Sequence, residues 1–172
     1  MLLNFKTSIQ LSEFNKDTLA DLFLKDCSLP KGFYPEKKIL PSFQKYILDS
    51  AEVGINLLNT ISKFDVGQSA VVSSKLVYAI EGQEGTDCMI DRAASLSNKN
   101  KLITHLGPVL IKIPKINQNI NLDPPVVGFE TVRKCIKNNF SSLVVSSNGT
   151  IIFDLKKIMN LINTSNFVIY VV

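Results

Sequence analysis

The chain has 172 residues, of which 45% are hydrophobic and 20% are charged. This length fits one ordinary domain with an appendage, and the apolar content is high enough to build a core, which excludes disordered, collagen-like and coiled-coil classes. The 19 basic and 15 acidic residues leave a formal net charge of +4, a surplus too small to indicate nucleic-acid binding.

The termini and the reactive residues narrow the class of protein further. No apolar run approaches the roughly 20 residues that span a bilayer, and residues 1–6 lack a secretory apolar region, so we expect a cytoplasmic protein. The odd number and wide spacing of Cys27, Cys88 and Cys135 argue against a disulfide framework and against a zinc site. The single histidine, His105, argues against a nucleophilic triad.

Residues 1–48 differ from the rest of the chain. A short helix is predicted over Asn15–Phe23, and three prolines with one glycine predict a loop or linker over 29–41. Lysines next to Phe33 and Tyr34 suit peripheral contact with anionic lipid headgroups, although a solvated linker is the favoured interpretation. These lysines are Lys31, Lys37 and Lys38.

The first half of the remaining chain predicts a helix, a hairpin and a second helix. Asp49 and Glu52 stand in capping-box register at the start of a helix over Asp49–Ser62. The apolar residues of one face of this helix are Ile47, Ala51, Ile55, Leu58 and Ile61. Two apolar runs, Ser69–Val72 and Leu76–Ile80, predict a hairpin. Thr86 is predicted to cap the next helix, whose apolar positions are Met89, Ile90, Ala93 and Ala94.

The second half continues to alternate strands with helices. The predicted elements are a strand over 108–113, a helix over Glu130–Asn138, a hairpin through Asn148-Gly149, a helix over Leu155–Ile162 and a strand over Phe167–Val172. This mixture predicts an α/β domain with a mixed β-sheet and flanking helices.

The turn over 80–91 carries the strongest chemical pattern. A strand ends there, two glycines open the backbone and a helix begins, with four carboxylates nearby: Glu81, Glu84, Asp87 and Asp91. A helix N-terminus attracts anions, and carboxylate oxygens suit Mg²⁺ or Mn²⁺, so the pattern suits phosphoryl chemistry. The alternative, which the residues alone favour, is that the acids simply stabilise the first turn through the helix dipole.

A basic segment follows this acidic turn. Between Lys99 and Lys137 there are seven Lys and Arg residues against Asp123 and Glu130. Such a surplus suits phosphate recognition, and a solvated basic face is an equal alternative. A nucleic-acid-binding module is disfavoured because no aromatic residues are interleaved with these lysines for stacking on bases.

Several short blocks resemble the signature segments of UDP-2,3-diacylglucosamine hydrolases of the LpxI type, in the same order and with similar spacing. The blocks are Asp65-Val66-Gly67-Gln68, Ala79-Ile80-Glu81, Glu84-Gly85-Thr86-Asp87, Lys112, Pro114-Lys115 with Gln118, and Asp123 with Pro125 and Gly128. The similarity extends roughly over residues 42–172, with a weaker echo from about 19 to 41.

The resemblance implies both a fold and an activity. The fold would be that of the C-terminal domain of LpxI-type hydrolases. The activity would be cleavage of the pyrophosphate of UDP-2,3-diacylglucosamine to UMP and 2,3-diacylglucosamine 1-phosphate, a step of lipid A and hence lipopolysaccharide synthesis in Gram-negative bacteria. It further implies dependence on Mg²⁺ or Mn²⁺.

The resemblance also implies roles for individual residues. Asp87, Glu84 and Thr86 would be catalytic, and Asp87 and Glu81 would hold the metal. The residues expected to contact the substrate are Gln68, Gly85, Lys112, Lys115 and Gln118.

The chain departs from the family pattern in ways that affect the expected partners. Residues 1–48 would be a remnant of the N-terminal domain with its linker, and 49–172 the catalytic-type C-terminal domain. Asn119, Asn121 and Val126 replace the usual residues at their positions. The expected partner is a UDP-linked glycolipid, with peripheral contact at the inner membrane. A homodimer, a separate N-terminal domain, or a non-catalytic remnant are the alternatives, and no nucleic acid is expected.

Overall fold

The computed structural model describes residues 29–35, 39–99, 106–116 and 124–172. The predicted helix over Asn15–Phe23 and the residues His105 and Gln118 lie outside these ranges. The strands are β1 (Gly32–Tyr34), β2 (Ser69–Ser73), β3 (Leu76–Ile80), β4 (Val109–Lys112), β5 (Val126–Val127), β6 (Ser142–Val145), β7 (Ile151–Ile152) and β8 (Val168–Val171). The helices are α1 (Pro41–Ile61), α2 (Gly85–Lys99), α3 (Phe129–Lys137) and α4 (Leu155–Asn163), and a 3₁₀ turn over Ser62–Phe64 follows α1.

Six strands form one mixed sheet in the order β1-β8-β6-β4-β2-β3. The central strands β4, β6 and β8 are parallel, whereas β1, β2 and β3 pair antiparallel with their neighbours. Strands β5 and β7 form a separate parallel pair. The α/β fold with a mixed sheet and flanking helices is therefore confirmed.

Helices cover both faces of the six-stranded sheet. Alternate residues of a strand point to opposite faces, so Val71 on β2 joins one core cluster while Ala70 and Val72 join the other. The first cluster contains buried residues of α2, α3 and α4, and the second contains those of α1. Because one helix layer lies on each face, the central strands are buried on both sides, as parallel strands usually are.

Helix α1 is longer than predicted and has a different cap. It begins at Pro41, and the fixed φ of proline suits the first helical position. Asp49 lies inside the helix and pairs with Lys45, so its predicted capping role is wrong. The predicted inward positions Ile47, Ala51 and Leu58 are buried. Helix α2 likewise begins one residue before Thr86, which lies inside the first turn instead of capping it.

The segment 29–41 contributes to the domain core as well as linking elements. It contains β1, which pairs with β8 at the edge of the sheet. The Phe33 ring stacks on Tyr170 with centroids 4.3 Å apart, and Tyr34 is buried. These two aromatic rings are engaged in packing, and the peripheral lipid contact considered from the sequence stays a prediction. The division at residue 48 stays a prediction.

The predicted hairpin through Asn148-Gly149 is wrong. The two runs that flank this turn, β6 and β7, belong to different sheets, and β7 pairs with β5. All four residues of β6 are buried, so this strand has the character of a central parallel strand. The predicted hairpin of β2 with β3 is confirmed, as are β4, α3, α4 and β8 within one or two residues at each end. Among the described residues, no helix has both the length and the apolar character needed to cross a membrane.

Candidate phosphate and metal site

The predicted site residues meet at one edge of the sheet. Lys112 ends β4, whose direction is shared by β6 and β8. Strand β2 runs the opposite way, so Gln68, which precedes it, lies at the same edge, and so does Glu81 at the end of β3. Ligands of open α/β sheets bind at this carboxyl edge of the parallel strands.

A cavity of about 490 Å³ opens at this edge. It is lined by Phe64, Asp65, Val66, Gly67, Gln68, Glu81, Gly82, Gln83, Lys112 and Lys115. A larger cavity of about 600 Å³ lies next to the residues that precede β4, β6 and β8, at the other end of these strands, and none of the described side chains that line it is charged. Since an anionic ligand needs cationic partners, the cavity that holds the two lysines is the candidate site.

Glu81 joins two segments of this site through its two carboxylate oxygens. Oε2 accepts a 3.0 Å hydrogen bond from the main-chain N–H of Gln68, and Oε1 accepts a 2.6 Å bond from the Thr86 hydroxyl. The residue is only 8% exposed. Gly67 packs so closely on Glu81 that a Cβ atom there would lie 2.5 Å from Glu81 Cβ. Glu81 therefore holds the 65–68 loop against the start of α2.

Lys112 reaches the same hydroxyl from β4. Its Nζ donates a 2.7 Å hydrogen bond to Thr86 Oγ1. Burial lowers the pKa of Lys112, and the negative charges of Glu81 and Asp87 act in the opposite direction. The ammonium thus lies within the electrostatic influence of both predicted metal ligands.

Lys115 is held beside the cavity by an ion pair with Asp65. Asp65 has a left-handed backbone at φ 55°, which closes the 3₁₀ turn after α1. The hydrogen bond and the charge of Lys115 lower the pKa of the Asp65 carboxyl. Across the cavity, Gln68 Oε1 is buried with no hydrogen-bond partner among the described residues. Lysines and an amide therefore surround the same space.

The four carboxylates of the acidic turn do not converge. Glu84 pairs with Arg92 and accepts from the Gly82 N–H, and these contacts lower its pKa. Asp87 accepts a 3.3 Å bond from Thr131, and Asp91 pairs with Lys134. Across the ranges that the structure describes, no three acidic, histidine or cysteine side chains are grouped as a metal would require.

The geometry fits a metal ion that is bound by one protein carboxylate better than a metal ion that is bound by two. Asp87 is exposed, and among the described residues its carboxylate accepts only the long hydrogen bond from Thr131. Such a carboxylate suits Mg²⁺, which binds through one or two carboxylates together with substrate phosphates. Both oxygens of Glu81 already accept protein hydrogen bonds, so this residue is a poorer donor.

Helix α3 supplies contacts that the sequence did not single out. Thr131 and Lys134 lie three residues apart on one face of the helix, and both reach α2, at Asp87 and Asp91. Lys134 lines a groove of about 240 Å³ between the helices, together with Asp87, Asp91, Glu130 and Arg133. The helical spacing of these two residues was the available signal, but it could not identify the opposing helix.

Gly85 lies at the start of α2 with φ +78°, a conformation that disfavours side chains. It ends the turn that joins β3 to α2, and its neighbours in the chain are Glu84, which pairs with Arg92, and Thr86, which bonds Glu81. The structure thus brings Gln68, Glu81, Lys112 and Lys115 to one cavity, and Thr86 is hydrogen-bonded to two of these residues, Glu81 and Lys112. Glu84 lies in an ion pair beside it.

Comparison with known proteins adds an independent observation. A family model described as the LpxI C-terminal domain matches residues 38–170. A protein of Caulobacter vibrioides (strain ATCC 19089 / CIP 103742 / CB 15), named UDP-2,3-diacylglucosamine pyrophosphatase LpxI, is 28% identical over 155 residues. The alignment covers 87% of this chain and 54% of that protein, so the chain spans about half the length of this curated relative.

Proposed function

The chain belongs to the LpxI family through its C-terminal domain, and from this we propose that it serves in the hydrolysis of UDP-2,3-diacylglucosamine. The pyrophosphate bond would be split to UMP and 2,3-diacylglucosamine 1-phosphate, a step of lipid A biosynthesis in Gram-negative bacteria. The substrate carries two acyl chains, so the proposed location is the cytoplasm with peripheral contact at the inner membrane.

The observation that carries this proposal is the pair of lysines at the carboxyl edge of the sheet. Lys112 and Lys115 line one cavity of about 490 Å³ together with Gln68. Concentrated cationic donors in a partly enclosed site suit a diphosphate, whose charge they neutralise. Among the described residues that line the larger cavity, none is charged, so those residues offer a diphosphate no comparable partner.

Each predicted residue takes a proposed role in this site. Asp87, exposed at the start of α2, orients the attacking water, and Glu84 supports that turn through its pair with Arg92. Thr86 contributes through its hydroxyl contacts at the same turn. The proposed substrate contacts are Lys112, Lys115, Gln68, the backbone of Gly85, and Gln118 outside the described residues.

We further propose that Mg²⁺ or Mn²⁺ assists the reaction. Asp87 would hold the ion together with phosphate oxygens of the substrate, and Glu81 would contribute only by giving up a present hydrogen bond. When bound, the ion neutralises charge on the phosphate oxygens. The lysines orient the diphosphate by hydrogen bonding, and the buried Glu81 carboxylate keeps the 65–68 loop in place for it.

The domain organisation is also a proposal. We propose that residues 1–48 derive from an N-terminal domain with its linker and that 49–172 form the catalytic-type domain, although α1 runs without a break across this division, from Pro41 to Ile61. Because the chain spans about half of the Caulobacter relative, a module that requires a separate N-terminal domain, or a homodimer, is the second candidate. A non-catalytic remnant is the third. These candidates make different predictions for one assay.

The assay measures UMP release from UDP-2,3-diacylglucosamine with Mg²⁺, for the chain alone and mixed with a separately produced N-terminal domain of a relative. Activity in either arm, abolished by Asp87→Asn, supports the proposal. The matched control is Asp49→Asn, which removes one carboxylate from α1 on the other face of the sheet and should retain activity.

The two arms separate the candidates. Activity of the chain alone supports a self-sufficient domain, and activity only on mixing supports a split enzyme. No UMP release in either arm supports a non-catalytic remnant and contradicts the proposed hydrolysis. Equal activity of Asp87→Asn and the unmodified chain contradicts the role of Asp87.

A further inference from the structure

The hydrogen bonds from Lys112 through Thr86 to Glu81 have a direction that chemistry alone decides. An ionised carboxylate only accepts hydrogen bonds, so the Thr86 hydroxyl must donate its single proton to Glu81 Oε1, at 2.6 Å. An ammonium only donates, so Thr86 Oγ1 must accept from Lys112 Nζ, at 2.7 Å. The chain of bonds therefore runs from Lys112 to Thr86 to Glu81.

This direction leaves Thr86 with no proton for a substrate. Its one hydrogen is directed to Glu81, and one of its two lone pairs is taken by Lys112. Ser69 Oγ lies 3.4 Å from Thr86 Oγ1 and can only donate to the remaining lone pair. A hydroxyl with this set of partners suits fixing a neighbour better than attacking a phosphorus atom.

The same bonds use only one of the N–H donors of the Lys112 ammonium. An ammonium has three N–H groups, and Thr86 is the hydrogen-bond partner that Lys112 has among the described residues. The side chain also lines the cavity that it shares with Lys115 and Gln68. Because Thr86 takes one N–H, the other two have no hydrogen-bond partner among the described residues and can bind a ligand in that cavity.

We propose that Glu81 and Thr86 are positioning residues that hold the Lys112 ammonium so that its remaining N–H groups bind one phosphate of a diphosphate ligand. Glu81 is 8% exposed and is anchored at its other oxygen by the Gln68 N–H, at 3.0 Å, so it gives Thr86 a fixed acceptor. This inference rests on the proposed function for the identity of the ligand. It gives Thr86 an orienting role in place of the catalytic role implied by the family resemblance, and it makes Glu81 a structural anchor in place of the implied metal ligand.

The first experiment observes the Lys112 ammonium directly, without substrate. In the full chain labelled with ¹⁵N-lysine, an ammonium held by a buried hydrogen bond exchanges slowly with water and gives a resolved side-chain signal, which Lys112→Arg assigns. Thr86→Val removes the hydroxyl with little change of shape, and Thr86→Ser retains it. The signal should disappear in Thr86→Val and persist in Thr86→Ser. It should also persist in Thr60→Val, which removes an exposed hydroxyl bonded within α1.

The second experiment measures binding of inorganic diphosphate to the same proteins by calorimetry. One charge-assisted hydrogen bond contributes enough that Thr86→Val should weaken binding by about tenfold, whereas Thr86→Ser and Thr60→Val should bind like the unmodified chain. Thermal unfolding of each variant shows whether a loss of diphosphate binding is caused by loss of the folded state. If Thr86→Val is unstable, Thr86→Ser provides the folded variant for comparison.

The outcomes separate this inference from the proposed function. A Lys112 signal that survives in Thr86→Val, or that is missing from the unmodified chain, overturns the positioning role. Diphosphate binding that is equal in Thr86→Val and in the unmodified chain overturns it too. If the signal behaves as expected but the unmodified chain binds no diphosphate, the proposed ligand is wrong while the positioning of Lys112 stands.

Discussion

The Lys134 ammonium on α3 donates a 3.1 Å hydrogen bond to the main-chain carbonyl oxygen of Asp87 on α2. The same ammonium lies 2.9 Å from the Asp91 carboxylate, one helical turn further along α2. Its hydrogen bond with Asp91 and the nearby negative charges raise the pKa of Lys134. One cation of α3 therefore holds the turn of α2 that carries Asp87.

Lys134→Met should lower the free energy of unfolding by about 0.5–1 kcal/mol, the range for a partly exposed ion pair. The matched control is Arg133→Met, which removes the same charge from the same helix but breaks only the pair with Glu130 inside α3. The Arg133→Met control should lower the free energy of unfolding by less, about 0.3 kcal/mol. Urea denaturation of Lys134→Met, Asp91→Asn and the variant that carries both substitutions gives the coupling energy by a double-mutant cycle. No coupling between Lys134 and Asp91 would contradict the inferred bridge between the helices.

Gly67→Ala should destabilise the domain by about 1–3 kcal/mol, because the added Cβ requires displacement of a well-packed backbone. That atom would lie 2.5 Å from both the Cβ and the carbonyl oxygen of Glu81. Gly128→Ala is the control, since no atom lies within 4 Å of a Cβ at that position. Gly128→Ala should lower the free energy of unfolding by less than about 1 kcal/mol. Thermal unfolding compares the two, and equal losses would show that the contact with Glu81 is relaxed in solution.

The Asp65 carboxyl should titrate below its ordinary value of 3.8, since Lys115 stabilises its charged form. The contribution of this pair to stability is complete above the ordinary pKa and is lost as the pH falls through the lowered pKa. Carboxyl ¹³C chemical shifts followed from pH 6 to 2 measure the value. In Lys115→Met the pKa of Asp65 should rise toward 3.8. A midpoint that is unchanged by this substitution would exclude the ion pair as the cause.

The two described cysteines should differ in reactivity. Burial raises the pKa of the Cys135 thiol far above its usual range, whereas Cys88 is exposed on α2. Because the thiolate is the reactive form, a maleimide should label Cys88 in the folded protein and Cys135 only after unfolding. Mass spectrometry of labelled peptides in a Cys27→Ser background gives the two rates. Rapid labelling of Cys135 under native conditions would show that the core around α3 opens readily.

Local sequence patterns were sufficient for much of the fold. The two apolar runs Ser69–Val72 and Leu76–Ile80 predicted the β2–β3 hairpin, and the spacing of Met89, Ile90, Ala93 and Ala94 predicted the buried face of α2. These features depend on neighbours within a few residues, so the chain itself contains the information. The same reasoning places the start of α1 too late. The prolines predict a linker that extends to residue 41, whereas Pro41 is the first helical residue.

The partners of each strand depended on distant residues. The turn at Asn148-Gly149 favours a hairpin by its composition, yet β6 pairs with β4 and β8 while β7 pairs with β5. A fully buried strand is stabilised more by hydrogen bonds to two parallel neighbours than by pairing with one short adjacent run. This stabilisation depends on residues distant in the sequence, so no local pattern predicts it.

The site shows the same division between local and distant information. By itself, the sequence determined which residue types lie at the β3–α2 turn and which lysines follow it, because motif spacing is a property of the chain. Only the tertiary structure decided that Glu81 faces Thr86 and Lys112, while Glu84, Asp87 and Asp91 each face a different partner. The physical reason is that the direction of a carboxylate depends on the cations and hydroxyls that other strands and helices bring to it, and these come from residues as distant in sequence as Lys134.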